Sequence, residues 1–231
     1  MKKALLFVLV SLVLVTVANA STSKAIFAFT YPPFQTGDVE LQTNTGNTVS
    51  TMTGWYDIGG NHDATNPDYI VGLCGSSDSC NGGNDVFNNF FTFNVPAGTY
   101  TSATISAFLP NPGSGLSAFY CNCTSLTYQL WDVSTPISQL MASNSGRVDI
   151  FNDLDSGIFY GSAVVTSADQ GTQILITLDA AGLASLNASA GGTWAVGGSI
   201  YGAQSPEPGT LLMFGSGALG LAGLLRRKIN L

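Results

Sequence analysis

Val86-Phe87-Asn88-Asn89-Phe90-Phe91-Thr92-Phe93-Asn94-Val95 is the stretch on which the fold turns. Four of its ten residues are phenylalanine, and Phe87, Phe91, Phe93 and Val95 recur at odd positions. Side chains alternate faces along a strand, so this spacing predicts a half-buried β-strand, interrupted at Asn88-Asn89. Pro96-Ala97-Gly98 ends it in a turn. Outward from there, Ala103, Ile105, Ala107 and Leu109 alternate across Thr101–Leu109, and Leu126–Trp131 repeats the pattern. Tyr160–Ala168 and Thr172–Leu178 flank Asp169-Gln170-Gly171 and predict a hairpin-like pair, and Thr193–Tyr201 closes the domain. Strands punctuated by Gly, Asn, Asp and Pro predict an all-β fold, a β-sandwich or jelly-roll-like domain. One short helix is expected at Asp179–Ala188. Asp179 is its N-cap candidate, Gly191-Gly192 its stop, and Leu183 and Leu186 its core-facing pair.

The two ends of the chain have a different chemistry. Lys2 and Lys3 precede a 14-residue apolar region, Ala4–Val17, and Ala18-Asn19-Ala20 fits the small-x-small rule for signal peptidase. Residues 1–20 are therefore expected to be a signal peptide helix, with cleavage set by Ala18 and Ala20. At the other end, Leu211–Leu225 is an apolar run of 15 residues with one polar side chain, Ser216. As a transmembrane helix it would span about 22 Å, short against a hydrocarbon core of ~30 Å. Its four glycines weaken it further. Arg226, Arg227 and Lys228 form the stop that stays cytoplasmic. Pro206 and Pro208 keep the approach to the membrane extended. Residues 21–204 are then one extracytoplasmic domain, and residues 205–231 a tail joined to the membrane before processing.

Removing the ends changes the electrostatics. The whole chain carries −7, but within the body Lys24 and Arg147 face 13 acidic residues, a net charge of −11. Such a surface repels nucleic acid, which needs Lys and Arg to neutralise phosphates.

Candidate chemistry in the body is sparse. Cys74, Cys80, Cys121 and Cys123 are an even set in an exported chain, which favours disulfides. Three connectivities are open, and a four-thiolate zinc site is the sharper but less favoured alternative. His62 stands beside Asp63, yet neighbours in a strand point apart, so the pair does not make a dyad. The sequence has no Gly-x-Ser-x-Gly elbow, His-Glu-x-x-His or phosphate loop, and Glu40 is the body's single glutamate. A non-catalytic protein is expected, with no cofactor beyond Ca²⁺ at Asp153 and Asp155 in Asn152–Gly157; an Asx turn is the simpler reading of that stretch. Asp57, Asp63, Asp68, Asp78 and Asp85 crowd a second acidic stretch. Trp55, Tyr56 and Tyr69 lie among Asn, Asp and Gly, and as exposed rings they would stack sugars in a carbohydrate-binding module.

Pro206-Glu207-Pro208, the short Gly/Leu run and the basic cluster, in that order, resemble the PEP-CTERM sorting signal of Gram-negative bacteria. The resemblance covers Ser205 to Lys228. It implies recognition by a membrane-embedded exosortase, cleavage at or near Pro206-Glu207-Pro208, and a link to exopolysaccharide export and biofilm. The body is similar to domains found in front of such signals. The matching stretches are Asn89–Phe93, Ser102–Ile105, Tyr128–Pro136, Phe151–Ser162 and Trp194–Gly198, and the first two are also similar to the strand pair opening some carbohydrate-associated β-sandwich modules. That likeness implies a fold and a compartment, and no catalytic residue.

Overall fold

The computed structural model describes residues 26–27, 38–74, 85–110, 119–120 and 125–201, all within the unit Ser23–Gln204. The expected signal peptide and C-terminal helices lie outside these residues. Among the described residues no helix is long and apolar enough to cross a membrane.

Two antiparallel sheets form the domain. The strands are β1 (Ile26–Phe27), β2 (Val39–Thr43), β3 (Gly46–Val49), β4 (Met52–Asp57), β5 (Val71–Cys74) and β6 (Asp85–Asn94). They continue with β7 (Ala103–Leu109), β8 (Phe119–Tyr120), β9 (Leu126–Asp132), β10 (Phe159–Val165), β11 (Thr172–Thr177) and β12 (Thr193–Tyr201). The large sheet runs β10-β9-β12-β6-β5-β1-β8, with β4 also paired to β6. The small sheet runs β11-β7-β2-β3. This is the all-β sandwich that the alternation predicts.

The main core lies between the sheets. Leu41, Ile105 and Ile176 of the small sheet meet Phe91, Phe93, Tyr128 and Val196 of the large one. Burying such side chains contributes about 1.5–3 kcal/mol each. Tyr160 and Phe93 stack on Trp194 at 6.1 and 6.0 Å, and the Trp194 indole donates to Ser185 Oγ at 3.1 Å. Ser185 belongs to a helix, α3 (Ala180–Ala188), that starts where expected, with the Asp179 carboxylate accepting from the Gly182 N–H at 2.9 Å.

Three expectations are corrected. First, β6 is unbroken through Asn88-Asn89 and is buried on both faces, not one. Phe90 and Val86 face outward into a second apolar cluster with Tyr56, Ile150 and Leu154. The residues that cover them are 133–158, which hold α1 (Ile137–Leu140) and α2 (Val148–Asp153). Second, the described residues of the body hold three helices, not one; four- and six-residue helices are too short to show a 3.6-residue period. Third, β10 and β11 are not a hairpin: β10 pairs with β9 and β11 with β7, in different sheets. A 3₁₀ turn at Ser167–Asp169 carries the chain across. Its capping box is closed by Thr166 Oγ1, which accepts from the Ala168 N–H, and by the Asp169 carboxylate, which accepts from the Thr166 N–H at 2.7 Å.

Candidate functional site

The covering segment and the loop 57–66 meet over the outer face of the large sheet. His62 and Asn144 exchange backbone hydrogen bonds, 3.0 Å in each direction, and the Arg147 N–H donates to the Gly60 carbonyl at 2.9 Å. Ser145 Oγ donates to Asn61 Oδ1 at 2.9 Å, and the Ala64 N–H to Ser143 Oγ at 3.0 Å. The Tyr56 hydroxyl donates to the Leu140 carbonyl at 3.0 Å and accepts from Asn144 Nδ2 at 2.6 Å. Burial raises the Tyr56 pKa, partly offset by the Asn144 bond.

His62 sits beneath this junction, 4% exposed. Its ring lies 4.8 Å from Tyr56, 5.4 Å from Phe90 and 6.1 Å from Trp55. Gly54 gives it room, since a Cβ there would stand 2.9 Å from His62 Cε1. Burial lowers its pKa; the Trp55 backbone and the Asp63 carboxylate pull the other way. Asp63 spends its Oδ1 on Thr65, accepting from its N–H at 2.9 Å and its hydroxyl at 2.7 Å, and these bonds hold it below the usual carboxylate range. The pair is thus no base with its orienter.

The proposed sugar-stacking rings are also relocated. Tyr56 and Tyr69 are 0% exposed, and Trp55 is half-buried with its edge on Phe87 at 5.3 Å. β4 turns the Tyr56 ring inward, and Tyr69 is buried from the loop that leads into β5. Tyr69 donates to the Phe108 carbonyl at 2.6 Å, and burial carries its pKa well above the usual phenol value.

Asp153, of the expected calcium pair Asp153 and Asp155, is bonded within the chain. It is the last residue of α2, and its carboxylate accepts from the N–H and hydroxyl of both Ser134 and Thr135, at 2.6–3.3 Å. Burial disfavours its charge, but these donors outweigh burial and lower its pKa. Both oxygens are thus committed to tying α2 to the chain after β9. Of the second acidic stretch, Asp57 accepts from Asn61, Asp68 is buried, Asp85 opens β6, and Asp78 lies outside the described residues. Among the described residues no three His, Cys, Asp or Glu side chains group as metal ligands. Cys74 ends β5, and Cys80, Cys121 and Cys123 lie outside the described residues.

One surface was not legible in advance. Beyond the covering segment the outer face of β9 and β10 is open. Trp131 stands there half-buried, edge-to-face with Phe159 at 5.5 Å, its indole N–H donating to Ser199 Oγ at 3.0 Å. Gln129 is cross-strand from both Ser162 and Ser199. Ile158, Phe159 and Val164 are 56%, 36% and 64% exposed. Alternation along Leu126–Trp131 predicts that Trp131 faces away from Leu130, but not that this face stays uncovered.

Pro206, Glu207, Pro208 and the cluster Arg226, Arg227 and Lys228 lie outside the described residues. Residues 206–228 match the family model of the PEP-CTERM protein-sorting motif. Compared with curated proteins and with solved structures, the chain matches none. The chain therefore carries, at 206–228, the sorting motif of exported proteins that are held in the membrane and passed to an exosortase.

Proposed function

We propose that this is a non-catalytic cell-surface or extracellular-matrix protein of a Gram-negative bacterium, associated with exopolysaccharide and biofilm. Signal peptidase removes residues 1–20, and exosortase processing then acts near Pro206-Glu207-Pro208. The sorting motif at 206–228 is the observation that carries the reading. The body supports it: a net charge of −11 suits an exported surface, and its one histidine is packed among aromatic rings where no substrate reaches it. Fractionating a host with and without its exosortase tests the reading. The chain should leave the membrane fraction only when the exosortase is present; equal release from both hosts would refute it.

A second reading, glycan binding by the body, has its support at Trp131 and Phe159. Their rings lie on the open face of β9 and β10 beside Gln129 and Ser162, an aromatic surface with neutral hydrogen-bonding groups around it. Affinity electrophoresis in the producer's own exopolysaccharide should retard the protein, and Trp131→Ala should abolish the retardation. Equal mobility with and without polysaccharide would sink this reading and leave the first intact.

A further inference from the structure

We infer that His62 is an acid-sensitive latch, whose protonation releases residues 133–158 from the outer face of the large sheet. His62 is the chain's single histidine. It is buried, and neither Nδ1 nor Nε2 has a hydrogen-bond partner among the described residues. Its backbone forms the two-way bridge to Asn144, so the unsatisfied ring and the tie to the covering segment belong to one residue. A neutral imidazole brings one N–H into this apolar box; an imidazolium brings two, and a full charge. The Tyr56 face offers that charge a cation–π attraction and the Trp55 backbone favours it, but neither satisfies both N–H groups. Water does, and the ring reaches water by lifting the segment above it.

The charged and titratable groups around the ring do not replace water. From its own loop, Asp63 favours the charged form, but its carboxylate is bonded to Thr65. At the end of β4, Asp57 is bonded to Asn61. Tyr56 on β4 has its phenol pKa raised by burial, so it stays neutral through this range. β6 presents Phe90, which has no charge. From the covering segment, Arg147 and Asp149 are paired with each other at 2.7 Å.

The sign follows from burial. With its folded-state pKa below the ordinary 6.5, His62 stabilises the closed segment above pH 6.5, and that contribution is lost as pH falls below it. Carboxylates ordinarily titrate near pH 4. Between pH 7 and 5, His62 is therefore the side chain that changes charge.

Hydrogen exchange on the full-length chain in detergent micelles tests the latch. Corrected for intrinsic rates, exchange of the amides in residues 133–158 should rise from pH 7 to pH 5 by up to about 30-fold, the single-proton limit, while β7 and β12 stay protected. His62→Phe should flatten that rise. NMR titration of the single imidazole in the unsubstituted protein gives a second reading that does not depend on the variant folding; its midpoint should fall below 6.5. Exchange flat with pH, a rise that persists in H62F, or a midpoint at or above 6.5 would each overturn the inference.

Discussion

Asn88 and Asn89, neighbours in β6, send their amides to opposite faces of the same strand. Asn88 donates to the Phe151 carbonyl at 3.1 Å under the covering segment, and Asn89 to the Tyr69 carbonyl at 2.9 Å between the sheets. Asn89 Oδ1 also accepts the Tyr128 hydroxyl at 2.7 Å. A buried amide is costly unless it is bonded, and here each bond fixes a different layer. Asn89→Ala orphans two buried groups at roughly 1–3 kcal/mol each, so global stability in urea should fall by about 2–4 kcal/mol. Asn88→Ala should instead raise amide exchange in α2 and leave the inter-sheet core protected. Equal global losses from the two variants would contradict the two-layer account.

Gly198 stands against the same bond. A Cβ there would overlap the Tyr128 hydroxyl and Asn89 Oδ1, so Gly198→Ala both crowds the core and breaks a buried hydrogen bond. A loss of about 2–4 kcal/mol is expected. Gly98, with open space around its Cβ position, is the control. Gly98→Ala should lie within about 0.5 kcal/mol of the parent. Thermal melts of the two variants side by side decide the point.

The Asp153 carboxylate accepts from four donors on Ser134 and Thr135. Asp153→Asn keeps the shape but removes the charge and one acceptor oxygen. The expected loss is about 1 kcal/mol after discounting for solvent screening, and it should be the same with Ca²⁺ or with chelator. Because the folded-state pKa is depressed, the carboxylate's contribution is present above pH 3.8 and lost as pH falls through the folded value. The parent and D153N should therefore converge in stability in strong acid. A Ca²⁺-dependent gap between them would instead support the calcium reading.

On the proposed reading Arg226, Arg227 and Lys228 hold the tail's orientation, since a 15-residue apolar run makes a thin anchor. Replacing all three by Gln should reduce the membrane-held precursor severalfold in a pulse-chase experiment. Unchanged precursor would mean that the apolar run suffices alone.

What was legible in the sequence follows from how local each signal is. β6, β7, β9 and β12 carry strong apolar alternation and were found. β2 to β4 (VELQT, GNTV, MTGWYD) are rich in Thr, Asn and Gly, and their burial comes from partners far along the chain. The turn between β10 and β11 is legible, but strand partners are set by the whole sandwich, so local pattern alone reads its two arms as one hairpin. Asn88-Asn89 looked like a break because a buried amide is betrayed only by the carbonyls that receive it, on Tyr69 and Phe151. Tyr56 and Tyr69 read as exposed because Asn, Asp and Gly lie close to them in sequence. The tail was legible because membrane insertion responds to the length, polarity and flanking charge of one continuous segment.

Intact-mass measurement of the protein released from its host tests the sorting claim most directly. The account predicts one species that begins at Ser21 and ends within or beside Pro206-Glu207-Pro208, having lost the apolar run and the basic cluster. A released protein that still carries Leu211–Leu225 and Arg226-Arg227-Lys228, in a host with an active exosortase, would contradict it.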